Sequence, residues 1–189
     1  MLNQAGSWWL SQSAQPVDSS LPVACEIRVL DDVEDLISSY RLRYDVYGSL
    51  GYIRHTNRSH LEIDAYDPFS IPFGAFDATS GELIGTLRLI TNRIQAGYVQ
   101  AVCQVLANVD DPELTDYASR RRRRPFPSLV SDGVARQVDA FNTGRFAVQE
   151  LSRTIVRPGH RGVGVSRGLM EFGLARAALL APVVLIGGA

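Results

Sequence analysis

The chain is short of the residues that build metal centres and cross-links. Its 189 residues include two cysteines, three histidines, two methionines and two tryptophans. Cys25 and Cys103 lie in separate segments, with neither metal-ligand spacing nor the dense, even set of a disulfide framework. This excludes a disulfide-stapled secreted scaffold and points to a reducing cytoplasm. His55, His60 and His160 stand at no ligand spacing and read as surface residues, so no metal is expected. No apolar run approaches the length that crosses a bilayer. An excess of one charge is missing too. Lysine plus arginine number 19 against 20 acidic residues, a net charge of −1, which removes any global attraction to nucleic acid or membrane. The opening MLNQAGSWWLSQSAQPVDSS has neither a basic start nor a continuous apolar stretch, so it does not read as an export signal. Residues 1–22 are expected to be a flexible polar tail, and residues 23–189 a single domain.

What is present suffices for a core. Hydrophobic residues make up 46% of the chain and charged residues 21%, the balance of an ordinary globular domain of this length. ACEIRVL at 24–30 reads as a first strand. Asp31 and Asp32 offer caps to a helix in which Val33, Leu36, Ile37, Tyr40, Tyr44 and Tyr47 recur at helical spacing. Arg43 stands one position before that stripe, with its head free to meet a carboxylate. Residues 50–61 read as a polar connection. Residues 73–90 form the clearest hairpin, two apolar runs around Asp77-Ala78-Thr79-Ser80-Gly81. The segment 94–142 is the least regular, with Val102–Leu106 and Leu129–Val130 expected on short helices. A β-rich run at 146–156, an apolar helix from about 163 to 180 and a buried strand at 182–186 complete the order.

Four short clusters and one glycine-rich turn carry the chemistry. Arg161, Gly164 and Ser166 follow the spacing R-x-x-G-x-small where a strand gives way to a helix. Unpaired amides and the helix dipole make such a start attractive to anions, and Gly162, Gly164 and Gly168 allow close approach. Read alone, the turn could equally serve only to pack helix on strand. Glu62, Asp64 and Asp67 form an E-x-D-x-x-D pattern. Three carboxylates so close repel unless arginines lie among them, and Arg43 and Arg88 are the obvious partners. The plainer reading is a solvated acidic turn or a structural ion-pair set, and Asp67-Pro68 is ordinary turn chemistry. Glu150 and Arg153 sit in the second β-rich run, where side chains three apart face opposite sides. Only a bulge would bring the two to one face.

Together Arg43-Tyr44-Asp45-Val46-Tyr47, Glu62 to Asp67, Gly85-Thr86-Leu87-Arg88 and Glu150-Leu151-Ser152-Arg153, followed by the glycine turn, resemble the acyl-transferring branch of the GCN5-related N-acetyltransferase (GNAT) superfamily. The nearest likeness is to N-acyl amino acid synthases (FeeM-type) and acyl-homoserine-lactone synthases, over roughly residues 24–187. The resemblance implies an α/β fold, a mixed central sheet flanked by helices, in which strands 146–156 and 182–187 splay to admit a thioester arm. It implies attack by a small amine on a thioester of acyl carrier protein or coenzyme A, with no tightly bound cofactor. Under it, Glu150 accepts the amine's proton, directly or through water, Arg153 and Arg88 pair with the carboxylates and hold the amino substrate's own carboxyl group, and Glu62 lies near the substrate. Arg43, Tyr47, Asp64, Asp67, Leu151 and Ser152 line the substrate, with backbone amides near Leu151–Arg153 free to meet the carbonyl oxygen. Arg161, Gly162, Gly164 and Ser166 hold the donor's phosphate groups. The product is then a long-chain N-acyl amino acid. The runner-up is an acyl-homoserine lactone made from S-adenosylmethionine, disfavoured mildly by Tyr52-Ile53 where those synthases usually show a tryptophan. Such folds normally continue with another helix and two strands, so the sheet is expected to be incomplete at Ala189.

The run Ser119-Arg120-Arg121-Arg122-Arg123-Arg124-Pro125 is the sharpest charge feature. A run of like charges is usually a solvated loop. The resemblance adds a second reading, a docking patch for an acidic acyl carrier protein. Nucleic-acid binding is disfavoured, because no aromatic residues interleave with the arginines. A non-catalytic acyl-carrier-binding protein is the remaining alternative of another class.

Overall fold

A computed structural model describes residues 24–53, 56–91, 96–120, 126–130 and 147–179, the strand at 183–187, and positions 133, 135, 136 and 138. The expected tail at 1–22, His55 and Arg121–Arg124 lie outside the described residues. The hairpin forms where two β-rich runs flank a polar turn: β2 (Ser70–Asp77) and β3 (Leu83–Thr91). Asp77 accepts from the Thr79 and Ser80 amides at 2.9 and 2.8 Å, and Gly81 takes a positive φ of 71°, which closes the turn. β1 (Cys25–Val29) pairs antiparallel with β2, and β4 (Ala147–Val156) pairs antiparallel with β3. β5 (Val183–Gly187) runs parallel to β4, so the sheet is mixed, in the order β1-β2-β3-β4-β5.

Helices cover both faces. On one, α1 (Val33–Ser49) begins at Asp32, which accepts from the Asp35 amide at 2.7 Å. Its hold on the sheet includes a buried hydroxyl pair, Ser39 to Thr86 at 2.8 Å. α2 (Ala96–Val109) and α3 (Pro112–Ala118) pack with α1 around Leu36, Tyr40, Leu61, Ile63, Val102, Val105 and Leu114. α2 is a single helix of 14 residues where short helices were expected. Its β-branched residues lower local helix propensity, and burial of Ala101, Val102 and Val105 against α1 overrides that. On the other face lies α4 (Val165–Ala178), bedded on Phe73, Leu87, Leu89 and Leu151 through Val165, Leu169 and Ala177. Gly173 permits the close approach, since a Cβ there would stand 2.8 Å from Leu87 Cδ2.

β4 and β5 stay in unbroken register from Ala147/Val183 to Leu151/Gly187. The expected parting does not occur along this stretch. Every residue of β5 is paired with β4, and Ser152–Val156 have no strand on that side among the described residues.

Candidate active site

The site is built on the α1 face of the sheet, from chain segments far apart in sequence. Asp67 opens a short 3-10 turn, Asp67–Phe69, with Pro68 fixing its first residue. The turn aims Asp67 inward, where Oδ2 accepts the Asp64 amide at 2.7 Å and Asp64 Oδ1 accepts the Tyr66 amide at 2.8 Å. The acidic pattern is therefore a structured, buried loop rather than a solvated one. Glu62, Asp64 and Asp67 are 9%, 7% and 4% exposed.

Three arginines complete a closed ring of alternating charge. Arg43 on α1 pairs with Glu62 and, through both terminal nitrogens, with Asp67 at 2.7 and 3.0 Å. Arg88 on β3 pairs with Asp67 at 3.0 Å and with both oxygens of Asp64 at 2.7 and 3.0 Å. Arg153 on β4 pairs with Asp64 at 2.8 Å and returns to Glu62 at 2.9 Å. Each carboxylate meets two guanidiniums and each guanidinium two carboxylates, so the formal charge of the ring cancels. Each guanidinium also lies over a tyrosine ring: Arg43 over Tyr40, Arg88 over Tyr66 and Arg153 over Tyr47, at 5.2, 5.8 and 5.2 Å. Burial alone would push the Asp64 carboxyl up. The charges of Arg88 and Arg153 and the Arg88 hydrogen bonds outweigh it and hold that carboxyl well below the usual range. The Tyr40 phenol is pushed well up, first by burial and then by the Asp67 charge.

Arg153 owes its place to a bulge. Leu87 stands between Thr86 and Arg88 on β3, while Arg153 and Thr154 stand between their partners on β4, so the register slips by one. Arg153 itself takes φ of +58°, the left-handed region an L-residue enters at a cost. The extra residue reverses the alternation. Glu150, Ser152 and Arg153 now share the α1 face, whereas Leu151 packs beneath α4 and Thr154 reaches Met170. The bulge required to bring Glu150 and Arg153 to one face is present.

Glu150 is fully buried. Its Oε2 accepts from the Ser128 amide at 3.1 Å and the Ser128 hydroxyl at 2.5 Å. Its Oε1 is buried without a hydrogen-bond partner among the described residues, and so is Arg153 Nε. The two atoms are complementary, lie three residues apart on one face, and are not bonded to each other.

Several expected residues fall elsewhere. Leu151 stays out of the ring, its side chain in the core under α4 and its backbone in register with both Leu89 and Gly187. Arg88 is spent on Asp64, Asp67 and the Ser152 hydroxyl at 3.0 Å, which leaves the half-buried Arg153, of the three ring arginines, with a buried nitrogen that has no partner among the described residues. Arg43 is likewise enclosed, while Tyr47 is half-buried beneath Arg153. Arg161, Gly162, Gly164 and Ser166 gather at the start of α4, beyond the unpaired end of β4. Gly164 caps the helix with φ of 92° and contributes no side-chain bond, Ser166 and Gly162 are exposed, and exposed Arg161 donates to the Val156 carbonyl at 3.2 Å. A further turn, Pro158–His160, stands between strand and helix. Sequence reading missed Ser128, since nothing in Phe126-Pro127-Ser128 marks it. It also missed Tyr117 on α3. Burial and then the charges of Asp64 and Glu62 raise that phenol. His60, expected at the surface, is exposed and stacks on Tyr44 at 5.2 Å. No group of acidic, histidine or cysteine side chains suited to a metal ion occurs among the described residues, and no helix among them is long and apolar enough to cross a membrane.

An antiparallel sheet with a bulged fourth strand, a parallel fifth strand and a glycine-capped helix at their end is a fold shared with acyl-transferring enzymes. The family model described as "Acetyltransferase (GNAT) domain" matches residues 42–171. The chain therefore belongs to the GNAT family and is an N-acyltransferase. No curated protein sequence matches it. Among solved structures it is similar to an acetyltransferase of Trypanosoma brucei, at 13% identity over 87% of this chain and 82% of that one, TM-score 0.45. It is similar to FeeM, an N-acyl amino acid synthase from uncultured soil microbes, at 14% identity over 82% and 65%, TM-score 0.47. It is also similar to TofI, solved with an inhibitor and MTA, at 21% identity over 85% and 70%, TM-score 0.49.

Proposed function

We propose that the protein moves a long-chain acyl group from a thioester on acyl carrier protein or coenzyme A to the amine of an amino acid. The observation that carries this is the unbonded pair on β4. Glu150 Oε1 can accept, Arg153 Nε can donate, and both are buried. Buried polar atoms without partners are costly, so the pair calls for a ligand of matching polarity. An α-amino acid is one, its amine meeting the carboxylate and its own carboxylate meeting Arg153 Nε.

The chemistry then needs little. The amine nitrogen attacks the thioester carbon and passes a proton to Glu150 Oε1, directly or through one water. The carbon–sulfur bond breaks, and the pantetheine sulfur leaves and takes up a proton, giving an amide and a free thiol. In this reading the backbone amides from Ser152 onward, which have no parallel strand beside them among the described residues, donate to the carbonyl oxygen as charge gathers on it. The uncapped amides at the start of α4, with Gly162, Gly164, Ser166 and Arg161, suit the donor's phosphate. The charge ring fixes Arg153 and frames the wall, with Arg43, Arg88, Glu62, Asp64 and Asp67 holding one another. Arg120, which pairs with Asp116 and lies over Tyr117, starts the basic run read as the carrier's landing site.

The test is product analysis by mass spectrometry. Acyl carrier protein thioester and acyl coenzyme A are each supplied, first with free amino acids and then with S-adenosylmethionine. N-acyl amino acid in the first arm is expected, and a lactone in the second would move the assignment to the autoinducer synthases. Glu150→Gln keeps the shape and removes the proton acceptor, so turnover should fall about 10²- to 10⁴-fold with an unchanged circular dichroism spectrum. Full turnover would remove Glu150 from this role.

A further inference from the structure

We propose that Ser128 is a positioning residue that decides which oxygen of Glu150 receives the proton, an inference that rests on Glu150 as the acceptor. Ser128 lies on the short turn Pro127–Val130, 22 residues before Glu150, and both of its donors converge on one atom. The amide at 3.1 Å and the hydroxyl at 2.5 Å both point to Oε2, and none points to Oε1. A carboxylate turns freely about its last bond unless something holds it. Two donors on Oε2 fix that rotation. They also leave the basic lone pairs of Oε1 as the place a proton can arrive without breaking an existing bond.

The alternative resting place for an unheld Glu150 is close in the chain. Arg153 Nε, on the same strand face, is a buried donor without a partner among the described residues. A carboxylate that swung to it would gain a charge-assisted hydrogen bond and cease to be a base. Ser128 holds Glu150 away from that pairing and so keeps both halves of the acceptor site open. The two bonds on Oε2 persist whether or not Oε1 is protonated, so the carboxyl does not have to reorganise during transfer.

A graded series on the full chain tests this by steady-state acyl transfer with acyl coenzyme A and an amino acid acceptor. Ser128→Ala deletes the hydroxyl donor and keeps the amide, Ser128→Cys weakens the donor, and Ser128→Thr retains it. The expected result is a kcat lowered roughly 10- to 100-fold in Ser128→Ala, the rate equivalent of one charge-assisted bond, with KM for both substrates within about twofold. Ser128→Cys should fall between, and Ser128→Thr should recover most of kcat. The double variant Ser128→Ala/Glu150→Gln should turn over no more slowly than Glu150→Gln alone, because the serine acts through the carboxylate. Wild-type kcat in Ser128→Ala, a change confined to KM, or losses that multiply in the double variant would each overturn the positioning role while Glu150→Gln remains impaired. Full turnover in Glu150→Gln would instead overturn the underlying role of Glu150, and this proposal with it.

Discussion

Replacing Arg88 by methionine opens the charge ring at its most buried point. Arg88 is 1% exposed and binds both oxygens of Asp64, one of Asp67 and the Ser152 hydroxyl. Methionine fills a similar volume but leaves the two carboxylates in place, so the loss is that of a broken buried pair rather than of a cavity. Such a break costs about 3–5 kcal/mol, because a charge is left in the interior without its partner. Asp67 keeps Arg43, whereas Asp64 keeps only the half-buried Arg153, so Asp64 bears most of the penalty. Against a total stability of roughly 5–15 kcal/mol the change is severe, and the melting temperature should fall by about 10 °C. The comparison is Arg153→Met. That side chain is 27% exposed, water reaches the vacated position, and the loss should be about 1–2 kcal/mol. Urea unfolding followed by far-ultraviolet circular dichroism separates the two, with a midpoint shift of about 2 M for Arg88→Met and about 0.5–1 M for Arg153→Met. Arg88→Lys should fall between, since a point charge cannot span Asp64 and Asp67 together. Equal losses in the two methionine variants would refute the view that burial rather than ion-pair count sets the cost.

The pH dependence follows from the same ring. The Asp64 carboxyl lies below its unfolded value of about 3.9, so its stabilisation is complete above roughly pH 5 and drains away as pH falls below about 4. Asp64→Asn should therefore lose stability less steeply than wild type between pH 5 and 3, and parallel curves would contradict the assignment. Gly164→Ala forces an L-residue into φ of 92° and should cost about 1–3 kcal/mol in thermal melts while raising KM for the thioester more than for the amine. Neutralising Arg120–Arg124 should raise KM for acyl carrier protein substrate but not for acyl coenzyme A. Equal effects on both donors would speak against docking there.

The sequence was legible where local physics decides. The capped start of α1, the hairpin turn at Asp77–Gly81 and the apolar α4 are each dictated by residues within one or two turns of one another. It was less legible where partners come from far along the chain. Helical spacing placed Tyr44 in the buried stripe, yet the protein buries Leu42, Arg43 and Val46 and leaves Tyr44 half-exposed against His60. An arginine enters the interior because Glu62 and Asp67, 19 and 24 residues on, meet it there, and periodicity knows nothing of that. The motif reading did supply the partners: Arg43, Arg88 and the three carboxylates were expected together and are found so. It gave Arg88 an open hand toward substrate, and the ring shows that hand already full. Ser128 lay beyond reach, since a serine in a proline-flanked turn looks like any other until the fold lays it on Glu150.

The unequal edges of β4 have a consequence for solvent access. Gln149–Leu151 are held between two neighbours, whereas Ser152–Val156 are paired on one edge only among the described residues, with Gly85, Thr86 and Arg88 of β3. In heavy water a single strand should thus show two clocks. Deuterium enters first at those amides of Ser152–Val156 that face away from β3, and late across Gln149–Leu151. The boundary between the clocks falls beside the bulge, so the backbone that exchanges fastest is the backbone proposed to meet the thioester.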